Sequence, residues 1–123
     1  MMCSSLFARR VLVMAGLGSV LVLAGCRSAF ISATVKNDTG VDVPLVEVDY
    51  PSASFGRQVL AAGAEYHYRF KVLGDGATKV LWTDSAHKEH TAMGPVLHEG
   101  DEGRMTVTLT ATGPTWDLKL DHK

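Results

Sequence analysis

Cysteine is almost absent from this 123-residue chain. The two that occur, Cys3 and Cys26, both lie near its start. No disulfide can therefore staple the region from Arg27 onward, which must be stabilised by its core. Aromatic residues are also few, at 7% of the chain, so that core has to be built mainly from aliphatic side chains. Beyond Arg9-Arg10 no two Lys or Arg residues are adjacent, and the formal net charge is −1. With no basic patch, the chain lacks the electrostatic footprint of a nucleic-acid-binding protein. The longest apolar run, Val11 to Leu23, falls short of the ~20 residues a helix needs to cross a bilayer. There is no amphipathic helical periodicity, no internal repeat and no low-complexity segment.

What the chain does have is an ordered N-terminal layout. Arg9-Arg10 closes a basic segment, the apolar run follows, and Leu23-Ala24-Gly25-Cys26 ends it. A cationic flank, a short apolar stretch and small residues before a cut are the parts of a secretory signal peptide. The last four residues resemble the lipobox of bacterial lipoproteins. By that resemblance Leu23, Ala24 and Gly25 are read by the signal peptidase, the Cys26 thiol receives a diacylglyceryl group, and cleavage leaves Cys26 as the first mature residue. Two or more acyl chains, at roughly 0.8 kcal/mol per buried CH₂, anchor firmly where one chain holds only marginally. The expected organisation is residues 1–25 as a removed signal, 26–29 as lipidated Cys and short tether, and 30–123 as one domain. The expected location is the cell envelope. Arg27, where an Asp would retain such a protein at the inner membrane, favours the outer membrane facing the periplasm in a host with two membranes. The removed segment carries basic residues and no acid, so the remainder is mildly acidic. Lipid, rather than charge, is expected to hold it at the membrane.

From Ala29 onward the pattern has period two, interrupted by turn residues every eight to twelve positions or so, as in a sandwich of short strands. Strands are expected at Ile31–Lys36, about Val43–Tyr50, around Arg57–Leu60, Glu65–Leu73, Thr78–Asp84, around His90–Val96, and Arg104–Ala111. A short edge strand or packed tail follows at Trp116–Leu120. Asn37-Asp38-Thr39-Gly40, Gly74-Asp75-Gly76 and Gly100-Asp101-Glu102-Gly103 supply turn chemistry; Pro51 to Gly56 reads as a loop. The fold class is all-β, a single antiparallel sandwich of seven or eight short strands, immunoglobulin-like or transthyretin-like. The body resembles the small single-domain sandwiches of bacterial lipoproteins, a likeness of strand pattern that brings no activity with it.

Chemistry-bearing residues are sparse. His87 and His90 form an H-x-x-H with Asp84 and Glu89 nearby, and imidazoles so spaced can share a transition metal across a tight bend. A solvated hairpin turn accounts for the same residues. Ser52 and Ser54 follow Asp49, but neither sits in the G-x-S-x-G turn that exposes a nucleophile, and Asp101-Glu102 reads as a turn. Three features point to an interaction surface instead. Tyr50 and Phe55 flank small loop residues, where aromatics can anchor a partner. His67, Arg69 and Lys71 form the polar face of one strand, and they can pair with Glu47 and Asp49 if the two strands share a sheet. Trp116 opens a tail that can add a strand to its own sheet or to another protein's. Together these point to a lipid-anchored, non-catalytic binding, accessory or structural module with an envelope protein as partner and no cofactor. The alternatives are a metal-handling lipoprotein using His87 and His90, and a small hydrolase.

Overall fold

The computed structural model describes residues 28–121. They form eight strands and no helix: β1 (Ile31–Asp38), β2 (Val43–Tyr50), β3 (Ala53–Leu60), β4 (Glu65–Phe70), β5 (Gly76–Thr83), β6 (Glu89–Leu97), β7 (Gly103–Thr110) and β8 (Gly113–Leu120). Two four-stranded sheets, ordered β4-β1-β7-β8 and β3-β2-β5-β6, face each other as a sandwich. Immunoglobulin domains group their strands differently, A-B-E-D against C-F-G. All neighbours are antiparallel except β1 and β7, which run parallel from Ile31↔Gly103 to Asp38↔Thr110. Parallel neighbours cannot be joined by a tight hairpin. The chain between these two builds the whole second sheet before returning.

Alternation places the core. Ile31, Ala33 and Val35 of β1 and Met105, Val107 and Leu109 of β7 are buried, facing Val46 and Val48 of β2 and Val80 of β5. As expected from composition, the centre is aliphatic. Aromatic rings collect at one margin, where Phe70 stacks on Tyr50 with centroids 3.9 Å apart and Phe55 stacks on Tyr68 at 4.5 Å.

β3 departs from the sequence reading. It begins at Ala53, because Ala53 to Arg57 pair with β2 from Tyr50 back to Val46. Gly56 reads as a turn marker in the sequence, yet it lies within the strand. A Cβ there would sit 2.7 Å from the Val46 carbonyl oxygen, so the glycine permits close approach of two backbones. Further along, Val59 takes φ 53°, a left-handed conformation that costs about 1–2 kcal/mol and lets Leu60 regain the core after four exposed residues. β4 is also shorter than its alternation implies: it ends at Phe70, although Val72 beyond it is still buried.

β5 and β6 pair around a bulge, with Ala77↔Val96 on one side and Lys79↔Met93 on the other. Gly94 and Pro95 together oppose Thr78, whose buried hydroxyl donates to the Pro95 carbonyl at 2.8 Å. Any side chain at Gly94 would overlap the Trp116 ring and the Thr78 hydroxyl. This contact is where β8, on one sheet, closes over β6 on the other.

The strand directions give the sandwich two distinct ends. Ile31, Phe70, Gly103 and Leu120 mark the end from which β1 departs, here the near end. The β1–β2, β5–β6 and β7–β8 turns meet at the far end.

Candidate functional site

Three turns that are distant in the chain converge at the far end around a cleft of about 550 Å³, within the roughly 300–1,000 Å³ typical of small-ligand sites. Thr39, Val41 and Asp42 come from the β1–β2 turn, Trp82, Asp84, Ser85 and His90 from the β5–β6 hairpin, and Thr110 to Pro114 from the β7–β8 turn.

Each turn is held by polar side chains. Asn37, fully buried at the end of β1, donates from Nδ2 to the Val41 and Leu60 carbonyls at 2.8 Å each, and its Oδ1 accepts from the Thr39 amide and hydroxyl. Every polar atom of that amide side chain has a partner, as burial requires. Asp42 Oδ1 accepts the Ala62 amide at 3.0 Å, which ties the β1–β2 turn to the β3–β4 turn. Thr110 donates its hydroxyl to the Gly113 carbonyl at 2.6 Å.

The β5–β6 hairpin is organised by Asp84. Its Oδ1 accepts the amides of Ala86 and Lys88 at 2.9 Å, while Oδ2 meets His90 Nε2 at 2.8 Å. These bonds favour the ionised carboxylate, the His90 contact most, followed by the Lys88 amide, and hold the Asp84 pKa down to about 2. His90 in turn lies flat on Trp82, with centroids 5.1 Å apart and planes 18° from parallel. The imidazole is thus fixed by a carboxylate at one nitrogen and by an indole under its face.

His87 occupies the tip of the same hairpin, exposed and with φ 64°. Among the described residues no group of three or more His, Cys, Asp or Glu side chains gathers as a metal site. A metal at His90 Nε2 would have to displace or share the Asp84 contact. No hydroxyl is hydrogen-bonded to His90 among the described residues. Ser52 has φ 85° in the β2–β3 turn, and Ser54 sits opposite Asp49 on β3; both are remote from this hairpin.

The residues expected to form an interaction surface are dispersed. Phe55 is buried, and Tyr50 packs between it and Phe70. Burial and the neighbouring Tyr68 raise the Tyr50 phenol pKa. These two rings cap the core margin and do not project from a loop. His67, Arg69 and Lys71 do not face Glu47 and Asp49, because β4 and β2 belong to different sheets. His67 instead contacts Thr34 at 3.1 Å and Glu65 at 3.4 Å, Arg69 lies 4.0 Å over the Phe30 ring, and Lys71 lies 6.0 Å from it. Asp49 approaches Lys79 of β5 at 3.7 Å, and its hydrogen bond and negative charge raise the Glu47 pKa. Trp116 belongs to β8, which pairs with its own sheet along β7. Its indole nitrogen is buried and finds no hydrogen-bond partner among the described residues. Leu23, Ala24, Gly25 and Cys26 lie outside the described residues.

The sequence sets Asp84 close to the two histidines and Trp82 two residues before it. It has no means of joining them to Val41, Asp42 or Pro114, because the three turns meet through sheet order alone.

No family model matches this chain, and no curated protein matches it significantly. Among solved structures it is similar to a protein from Eubacterium rectale determined by NMR. The TM-score is 0.53 at 12% identity, over 75% of this chain and 90% of that one. Lower similarity, TM-score 0.43 at 12% identity, is found to a disulfide-locked intermedilysin solved with human CD59, over 76% of this chain and 24% of that one. Pneumolysin gives 0.41 at 8% identity, again over 24% of its length. At such identity the likeness to the Eubacterium rectale protein speaks for the fold alone.

Proposed function

We propose that this protein is a lipid-anchored module of the bacterial cell envelope, acylated at Cys26, that binds a ligand or envelope partner at the far end of its sandwich and is not an enzyme. In a host with two membranes it sits at the outer membrane and faces the periplasm. The observation that carries this reading is the direction of the chain. β1 starts at Ile31, a short step past Cys26, and runs from the near end to the far end, where the cleft opens. A lipid on Cys26 would hold the near end against the membrane and leave the cleft facing away from it. Asn37, Asp42 and Asp84 brace the turns around the cleft, in keeping with a pre-formed site. Binding is favoured over nucleophilic catalysis because the Asp84–His90 pair has no hydroxyl hydrogen-bonded to it among the described residues.

The test is acylation and fractionation of the full chain in a bacterial host. Wild-type protein is expected to incorporate labelled palmitate and sediment with membranes. Cys26→Ser is expected to lose both the label and the sedimentation. An unlabelled wild type, or a labelled Cys26→Ser, overturns the anchor. Crosslinking of the tagged wild type in cells then asks which envelope component it captures.

A further inference from the structure

We propose that the far-end cleft is a binding site for a neutral glycan, which packs the C–H face of a sugar ring against Trp82, His90 and Pro114 and hydrogen-bonds its hydroxyls to Asp42, Ser85 and Thr112. The proposal rests on the reading of the chain as a binding module and names the ligand class.

The lining excludes the other classes in turn. No Lys or Arg lines the cleft, and its charged side chains are Asp42 and Asp84, so an anionic ligand would meet repulsion without a counter-charge. A purely apolar ligand would cover hydroxyls and a carboxylate without pairing them, and buried polar groups left unsatisfied oppose binding. A cationic ligand would look first to Asp84, but both of its oxygens are already engaged, by two backbone amides and by His90. Asp42 spends Oδ1 on the Ala62 amide, which leaves Oδ2 to accept from a ligand hydroxyl.

A ligand both apolar and rich in hydroxyls suits what remains. The Trp82–His90 stack is a rigid flat step, and the negative face of an aromatic ring attracts the slightly positive C–H bonds of a sugar. The exposed Val41 extends the apolar lip. With Nε2 committed to Asp84, Nδ1 of His90 is the ring nitrogen left for a ligand hydroxyl.

The chain has two tryptophans. Trp116 makes no hydrogen bond through its indole nitrogen among the described residues, so Trp116→Phe forfeits none and leaves Trp82 as sole reporter. Full-length Trp116→Phe protein in detergent would be titrated with neutral β-linked tetramers of N-acetylglucosamine and of glucose, following its tryptophan fluorescence. A saturable change with at least one neutral tetramer is expected. It should weaken at least about tenfold when His90→Ala is added, and measurably with Thr112→Val, a surface change that tests the same site if the histidine variant folds poorly.

No saturable response to either neutral tetramer overturns the proposal. So does binding confined to the cationic glucosamine tetramer, or an equal response to a sulfated glycan. Intact mass of the same sample reports acylation of Cys26. An acylated protein that ignores glycans defeats the ligand assignment alone, and a binding protein without acyl chains defeats the anchor alone.

Discussion

The two ends of this sandwich are finished by different physics. At the near end the gap between sheets is filled by rings, with Phe70 stacked on Tyr50 and Phe55 close by. Phe30 lies there beneath the Arg69 guanidinium. At the far end the turns are spanned by hydrogen bonds from Asn37, Asp42, Asp84 and Thr110, and a cleft remains among them. Ring packing removes apolar surface from water and fills the space between the sheets. Polar bracing holds loops apart at fixed positions, because directional bonds specify geometry without filling volume. A sandwich that must both stand and bind can divide the two tasks between its ends.

If that division holds, mutations at the two ends should fail in different ways. The largest effect is expected at the near end. Phe70→Ala deletes a ring that is 3% exposed and should cost about 3–5 kcal/mol of unfolding free energy, read by urea titration. A cost below about 1 kcal/mol would mean that the aromatic margin contributes little. At the far end Asn37→Ala strips partners from the Val41 and Leu60 carbonyls and from the Thr39 amide. With each lost partner costing about 1–3 kcal/mol before water re-enters, the net expectation is about 2–3 kcal/mol. Amide exchange should also accelerate in the β1–β2 turn, where Phe70→Ala should leave local protection unchanged relative to the rest. Equal acceleration throughout both variants would erase the distinction between the ends.

Much of each strand was legible in the alternation of Ile31 to Lys36 and Met105 to Thr110, because period two reports which way a side chain faces. It does not report which strand lies alongside. That is why alternation leaves open whether Glu47 and Asp49 face the cations of β4, and sheet order puts Asp49 beside Lys79 instead. Phe55 reads as a loop aromatic in the sequence because Pro51, Ser52 and Gly56 flank it. Its burial follows from pairing with Val48, and Gly56 serves close approach rather than a turn. Asn37 looked like turn chemistry and is a buried strand end that closes the turn from inside. The cleft was out of reach for the same non-local reason: each lining residue is ordinary in its own hairpin, and only the parallel return of β7 beside β1 brings the three turns together.

The smallest effect sharpens the far end alone. Asp84 has a folded-state pKa of about 2 against an ordinary value of 3.8, chiefly through its bond to His90. The folded protein therefore binds fewer protons here than the unfolded chain, and stability rises with pH across this window. The contribution is fully present above the unfolded value and is lost as pH falls through about 2. Asp84→Asn cannot titrate, so the stability difference between wild type and variant should be constant above pH 5 and shrink steadily toward pH 2. Glu47, whose pKa is raised through Asp49, contributes a slope of the opposite sign, but it is present in both proteins and cancels. Thermal unfolding across pH 2–6 measures the difference directly. A gap that stays constant down to pH 2 would show that the Asp84–His90 bond does not hold the hairpin, and the polar bracing of the far end would then rest on Asn37, Asp42 and Thr110.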